Sequence, residues 1–522
     1  MDASLKYPVG IQTFPEIIEE GYVYADKTGY VRRLVKSGKY YFLSRPRRFG
    51  KSMFLTTLEA YFEGRRDLFK GLALDSYDDV DWTPRPVIKM AFNDVDPKSL
   101  DNLIQAVSYT LSIYEETYGR RENADSLAVR FKDLIRNAFI KSGQKVAVLI
   151  DEYDAPLLAT LLKPELNEKY RDTIKSLLTV LKTADEYISF AFVTGVSRFS
   201  HTSLFSGANN LSDISMDDRY AAICGITEEE LTAGFMPGIR DFARKLRISD
   251  EEALRLLKDN YDGYHFSENC PDIYNPYSLL RALDEMKIKD YWFQSGTSSY
   301  LVAVLKRDGF YLPDLDCIES MVSGLSAKES YLNNPVALLF ETGYVTIKSY
   351  DRELEAYTLG LPNREVATSF SKALVPIYSG FSQSESENLV LKMKSALLKG
   401  NPELFLDVMS TFMEGNPYSN TELRKRETYF RNNIYILLRA IGFEPEAERE
   451  TCRGRIDLLL KTRRFIYVFE LKVDKSTGTA MRQIEERGYT LPFRHSDRPI
   501  ISIAATYDPA TNSIDSICRR AE

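Results

Sequence analysis

The chain has 522 residues, 44% hydrophobic and 27% charged, with a formal net charge of −7. That length asks for roughly two to four domains, and the mixture excludes disordered and fibrous classes. No apolar run approaches the about eighteen residues of a membrane span, and the opening MDASLKYPVG lacks a signal-peptide pattern, so a cytoplasmic protein without a membrane is expected.

Five cysteines, none in a CxxC pair, point to free thiols, and only His201, His265 and His495 are available for imidazole chemistry. Catalysis therefore has to rest on carboxylates, Lys and Arg. Residues 421–522 hold 19 Lys/Arg against 15 Asp/Glu, which leaves the preceding 420 residues at −11. A basic end on an acidic body matches a local phosphate-binding surface, and equally a chance fluctuation of surface charge.

In chain order, Tyr40–Leu43, Val87–Phe92, Val146–Ile150 and Ile188–Thr194 are short apolar runs that predict buried strands, with a fifth expected at Ala221–Cys224. Ser52–Phe62, the stretch around Leu103–Tyr114, and Tyr170–Leu181 predict the helices between them. Alternating strands and helices predict an α/β domain over residues 1–226, a parallel sheet covered on both faces. Residues 227–378 read as a mainly helical middle region, broken by the aromatic turns YDGYHF and NPYSLL. The Ser/Gly-rich Ser379–Ser386 is the expected linker into an α/β module over 379–522.

The run FLSRPRRFGKS ends the first strand. Against a phosphate-binding G-x-x-x-x-G-K-[ST] loop, Arg45 occupies the first glycine's place, and Gly50, Lys51 and Ser52 keep the rest. Gly50 lets the backbone approach a phosphate, Lys51 reaches the β/γ-phosphates, and the Ser52 hydroxyl ligates Mg²⁺. Arg45, Arg47 and Arg48 add positive charge. Asp151 ends the Val146–Ile150 strand as a candidate Mg²⁺ acid, with Glu152 as the group that orients or deprotonates water. The competing reading makes these two acids helix N-caps. After the Ile188–Thr194 strand come Thr194, a candidate γ-phosphate sensor, and Arg198, which either stabilises transition-state charge or makes a surface salt bridge.

Near the end, Asp457 lies in the run Ile456–Leu460, and Glu470 and Lys472 lie in Ile466–Val473. Alternation along a strand puts Glu470 and Lys472 on one face. Two acids on paired strands can hold a divalent cation against a scissile phosphate, with the lysine beside the attacking water. An inconsequential exposed strand pair is the alternative, against which stands the cost of charges within an apolar strand. Glu427 on a preceding helix (Glu422–Ala440) and Gln483 on a following one flank this pattern. Arg453, Arg455, Arg463 and Arg464 offer a grip on a nucleic-acid backbone.

With these motifs in place, the chain resembles the AAA-ATPase-like P-loop proteins that carry a C-terminal PD-(D/E)XK nuclease domain, common in gut bacteria of the Bacteroides type. The resemblance runs through YVYADKTGYVRRLV, RPRRFGKS, LIDEYDAP, VTGVSRFSHTSLFSG, YDGYHF, NPYSLL, LPNREV, GRIDLLL, FELK and QIEERGY. Arg45 is the usual residue of that family at its position. The resemblance implies ATP and Mg²⁺ at Lys51, Ser52, Asp151 and Glu152, and nuclease residues at Asp457, Glu470, Lys472, Gln483 and Glu427, with Mn²⁺ also acceptable there. A nuclease coupled to ATP is the expected activity, with DNA or RNA as partner and self-assembly through a neighbour's arginine as a further expectation. A signalling switch or scaffold that does not cut is the rival.

Overall fold

Five consecutive buried residues, Tyr40–Ser44, form strand β1, an interior strand of the first sheet. The computed structural model describes residues 5–121, 126–198, 210–292, 315, 317–325, 335–379, 383–414, 423–508, 510–511 and 513–520. The chain up to Trp292, with Glu319–Asn363, makes one compact unit, and the chain from Arg364 onward makes a second.

In the first unit β2 is Val87–Ala91, β3 Val146–Asp151, β4 Ile188–Gly195 and β5 Ser212–Asp213, in the order β2-β3-β4-β1-β5. Every pairing in this sheet is parallel. Helices α1 (Phe14–Glu19), α2 (Thr28–Ser37), α3 (Lys51–Phe62), α4 (Leu100–Tyr118), α5 (Leu127–Ser142), α6 (Ala155–Ala159) and α7 (Pro164–Thr183) supply the connections. Such connections are what parallel strands require. Ser99 and Ser126 each accept a backbone N–H of the next turn, which fixes where α4 and α5 begin. Leu43 pairs with Thr194, and Ile150 with Val193, so Ser44, Asp151 and Thr194 emerge together at the carboxyl ends of the strands. Ligands of open α/β sheets bind at that edge.

The fifth strand is not where the sequence puts it. Ala221–Cys224 is a turn, and β5 is only Ser212–Asp213. The reason is local: the carbonyls of Tyr220 and Ala221 accept from the buried Arg45 guanidinium at 3.2 Å, instead of from a neighbouring strand.

The rest of this unit is mainly helical: β6 (Ile226–Thr227), α8 (Glu228–Gly234), α9 (Met236–Leu246), α10 (Asp250–Tyr261), β7 (Ile273–Tyr274) and α11 (Pro276–Glu285). Thr227 with Glu230, and Ser249 with Glu252, form reciprocal capping boxes that start α8 and α10. Leu231, Ile239, Phe242, Leu257, Tyr261 and Leu283 share a core that takes in Tyr7 from the N-terminal segment. Helix α12 (Pro335–Glu341) and a small sheet of β8 (Ile318–Met321), β10 (Ala356–Gly360) and β9 (Thr346–Asp351) follow.

The second unit begins with α13 (Arg364–Ser379), α14 (Gln383–Leu398), α15 (Pro402–Glu414) and α16 (Leu423–Ala440). Residues 383–386 of the Ser/Gly-rich stretch are the first turn of α14. Strands β11 (Glu446–Thr451), β12 (Gly454–Lys461), β13 (Ile466–Val473), β14 (Ile500–Asp508) and β15 (Ser513–Arg520) form a mixed sheet in chain order. Only β13 and β14 run parallel, joined by α17 (Thr477–Glu486). Ile466 and Val468 pack with Ala480, Met481 and Ile484 of α17 on one face. Phe469 meets Phe405 on the other face, and Tyr507 stacks on Phe430. Helices thus cover both sides. All five cysteines are free, as their spacing implies. No helix among the described residues is long and apolar enough to cross a membrane.

Candidate functional site

The loop after β1 carries the first candidate site. Gly50 caps α3 with φ +93°, a left-handed value that only glycine adopts without strain, and a Cβ there would meet nothing within 4 Å. The backbone therefore faces open space at the N-terminus of α3. Lys51 is buried, and its Nζ donates to the carbonyls of Arg45 (2.9 Å) and Pro46 (3.1 Å). Ser52 Oγ donates to Asp151 Oδ2 at 2.6 Å, and Thr194 Oγ1 donates to Asp151 Oδ1 at 2.5 Å. Ser52, Asp151 and Thr194 are thus one cluster. The strand-end acids are not helix caps: Asp151 bonds these hydroxyls, and Glu152 takes a left-handed φ of +48°. Burial raises the Glu152 carboxyl above its ordinary range, opposed by the charge of Lys51.

Three arginines of the loop part company. Arg47 and Arg48 are exposed, with Arg48 over the Tyr277 ring. Arg45 is 1% exposed and does not add positive charge at the loop surface, as the sequence suggests; its guanidinium donates to the carbonyls of Ser44, Ser215, Tyr220 and Ala221 and lies over Phe266. The wall of the loop comes from far along the chain. Phe49 packs edge-on against Tyr264 and Phe266, Gly225 N–H donates to the Phe49 carbonyl, and Trp292 Nε1–H donates to the Arg47 carbonyl. A side chain on Gly343 would strike Pro46 at 2.8 Å. Arg198 is also buried. Its backbone N–H and guanidinium meet Glu341 (3.0 and 3.6 Å), and Asp213 lies 4.0 Å away, so the surface-bridge alternative does not hold. Asp154, which sequence reasoning missed, is 1% exposed and accepts the N–H groups of Val196 and Ser197.

The second candidate site lies on β12 and β13. The β12–β13 ladder ends at Leu458 opposite Phe469, and the next step sets Asp457 opposite Glu470. There the Asp457 Oδ2 accepts the Leu471 N–H at 2.8 Å in place of a main-chain carbonyl. Glu470 is 0% exposed, which excludes an inconsequential surface pair. Lys472 Nζ donates to its Oε1 at 2.5 Å, while Oε2 has no hydrogen-bond partner. Burial, helped by the Asp457 charge, pushes the Glu470 carboxyl up to about 7. Arg431 of α16 stands 3.6 Å from Asp457 Oδ1 and donates to Glu448 of β11, and no spacing or motif marks either residue. Gln483 is half-buried on α17, its amide 3.5 Å from the Tyr489 hydroxyl. Glu427 sits on α16 one helical turn before Arg431, and its side chain lies outside the described residues. Arg453 and Arg455 are at the Asp457 end of β12, whereas Arg463 and Arg464 are in the hairpin at its other end.

Residues 8–205 match the family model "Predicted AAA-ATPase", and residues 425–516 match "PD-(D/E)XK nuclease superfamily". A protein of Azotobacter chroococcum mcd 1, described as "Uncharacterized protein in vnfD 5'region", is 35% identical over 522 residues, 98% of each chain. The chain belongs to the predicted AAA-ATPase-like family with a C-terminal PD-(D/E)XK nuclease-superfamily domain. A Bacteroides-type source finds no support in that relative. Both domain types imply a nucleotide and a divalent metal, and the second implies a nucleic-acid substrate.

The residues present fit those groups. In the AAA-ATPase-like domain, open space at Gly50 and a lysine resting on main-chain carbonyls leave room for phosphates, and a hydroxyl beside a carboxylate is a hard-oxygen donor set. In the nuclease-superfamily domain, the orphaned Oε2 of Glu470 beside Asp457 is an oxygen donor of the kind a divalent cation takes. Among the described residues no three His, Cys, Asp or Glu side chains converge as a complete metal cage.

Proposed function

We propose that this chain is a cytoplasmic hydrolase that binds and turns over ATP in its N-terminal domain and cleaves DNA or RNA phosphodiesters in its C-terminal one. The carrying observation is the wholly buried Glu470 beside Asp457, with the Lys472 ammonium bonded to it. A buried acid with one oxygen unsatisfied is costly unless something charged uses it. Asp457 and Glu470 would hold Mg²⁺ or Mn²⁺, which supplies Lewis-acid polarisation of a phosphodiester when bound. Lys472, its ammonium bonded to Glu470 Oε1, would position the attacking water. In the ATPase domain Lys51 and the amides after Gly50 would bind phosphates, Ser52 and Asp151 would hold Mg²⁺ with Thr194 orienting Asp151, and Glu152 would take the proton of the attacking water.

The deciding experiment is Mg²⁺- or Mn²⁺-dependent cleavage of mixed DNA and RNA substrates, with and without ATP, beside the Lys472→Ala protein. Cleavage lost in the variant is expected; cleavage unchanged in it sinks the nuclease assignment. A second reading is favoured by the pairing of both acids with cations of the chain itself, Glu470 with Lys472 and Asp457 with Arg431. On that reading ATP drives a switch that binds nucleic acid without cutting, marked by salt-dependent binding and no divalent-dependent products.

A further inference from the structure

Three acids form a row across adjacent strands of the second unit. The β11–β12 ladder pairs Ala447 with Leu458 and Arg449 with Ile456, so Glu448 faces Asp457, which in turn faces Glu470. Like charges directly opposite one another destabilise a sheet. Glu448 also has φ +51°, a left-handed conformation in which a residue with a side chain is strained. Such strain is kept where surrounding contacts enforce it, and the contacts here are cationic. Arg431 donates to Glu448 Oε1 and stands 3.6 Å from Asp457 Oδ1, and Arg455 reaches Glu448 Oε2 at 3.1 Å. The Arg431 charge also favours the ionised form of Glu470. Glu470 Oε2, fully buried and without a hydrogen bond, marks the inner end of the row as the place for a cation.

We propose that Arg431 is a positioning residue of this site: buttressed by Glu448, its guanidinium holds Asp457 Oδ1 in the cation-free protein and competes with a divalent cation for it. The inference rests on the nuclease reading above and adds a counter-cation from helix α16. Arg431 lets three carboxylates share one row before metal arrives, and sets the threshold of metal concentration at which the site loads. Removing it frees Asp457 Oδ1 for metal while leaving the carboxylate fixed only through Oδ2 by the Leu471 N–H, so affinity and turnover move in opposite directions. A purely structural role would lower both.

The test is Mn²⁺ binding to the full-length protein, read from the free-ion electron paramagnetic signal, beside cleavage rates. Arg431→Met is expected to bind Mn²⁺ about tenfold more tightly, because a positive charge beside the ligands is gone. Its cleavage at saturating Mn²⁺ should fall by a similar factor or more. Arg431→Lys, which keeps the charge, should stay within about threefold of wild type in affinity. If Arg431→Met melts far below wild type, Arg431→Gln, which can still bond Glu448, carries the same expectation. Unchanged or weaker Mn²⁺ binding in both neutral variants overturns the proposal. Asp457→Asn separates the two levels. If wild type binds Mn²⁺ no better than Asp457→Asn does, the nuclease reading falls and this inference with it. If that difference is clear but the neutral Arg431 variants do not tighten binding, only this inference falls.

Discussion

Lys51 Nζ donates to the main-chain carbonyl of Arg45 at 2.9 Å, so the loop's own backbone holds the ammonium at the place the proposed function gives to phosphates. The bond would cost little to give up to a nucleotide, whose oxygens would replace carbonyl oxygens. Lys51→Ala should therefore weaken ATP binding about 30- to 150-fold, the worth of a charge-assisted bond of about 2–3 kcal/mol, with little change in melting temperature. Titration with a fluorescent ATP analogue measures it; unaltered affinity would remove Lys51 from the site.

Arg45→Gly would restore the loop consensus and should still harm the protein. Four carbonyls lose their donor and Phe266 loses its cation. A loss of about 3 kcal/mol or more is expected in urea unfolding, with no gain in ATP affinity. Burial already lowers the guanidinium pKa to about 10, so it stays charged at neutral pH.

Glu152→Gln should keep nucleotide affinity and cut phosphate release by about 10²–10³-fold, the usual contribution of a general base. Because burial raises the Glu152 carboxyl, wild-type turnover should climb as pH rises through its elevated pKa. A Glu152→Gln protein with normal turnover would move the base elsewhere.

Glu341 and Arg198 form a buried pair, so removing one partner should cost more than removing both. Glu341→Ala is expected to destabilise by about 3–5 kcal/mol, and Glu341→Leu with Arg198→Met by clearly less. If Arg198→Met alone abolishes phosphate release in a stable protein, Arg198 acts on the nucleotide rather than on the fold.

Asp262, in the YDGYHF turn, is 1% exposed, and burial pushes its carboxyl up to about 7 from an ordinary 3.8. The folded protein thus binds a proton there that the unfolded chain releases. This contribution to stability is fully present below pH 3.8 and is lost as pH rises through 7. Asp262→Asn should accordingly raise the melting temperature more at pH 8 than at pH 5. An equal effect at both values would show that Asp262 is not buried as a neutral acid.

How much of this is legible in the sequence depends on how local each cause is. β1, β3 and β4 announce themselves because strands buried on both faces are unbroken apolar runs, and the edge strand β2 still shows its alternately buried Ile88 and Met90. Asp457, Glu470 and Lys472 are legible for the converse reason, charges inside such runs. β5 is not, since two polar residues carry no periodicity, while the apolar Ala221–Cys224 imitates a strand without pairing as one. The inward turn of Arg45 depends on carbonyls some 170 residues away. The approach of Arg431 to Asp457 depends on a helix docking on a sheet. Neither leaves a mark in spacing.

The distant wall behind the nucleotide loop has a consequence for how the protein is made. Tyr264, Phe266, Trp292 and Gly343 all lie well downstream of the segment they support. Chains are synthesised from the N-terminus at about 5–20 residues per second, so a ribosome must pass about two-thirds of this message before the loop has its full surroundings. Until then β1 to β4 are out of the tunnel with an unsupported loop between β1 and α3. A pause in translation after residue 226 would hold the nascent chain in that state, and a chaperone that covers the exposed Phe49 ring would find its client there.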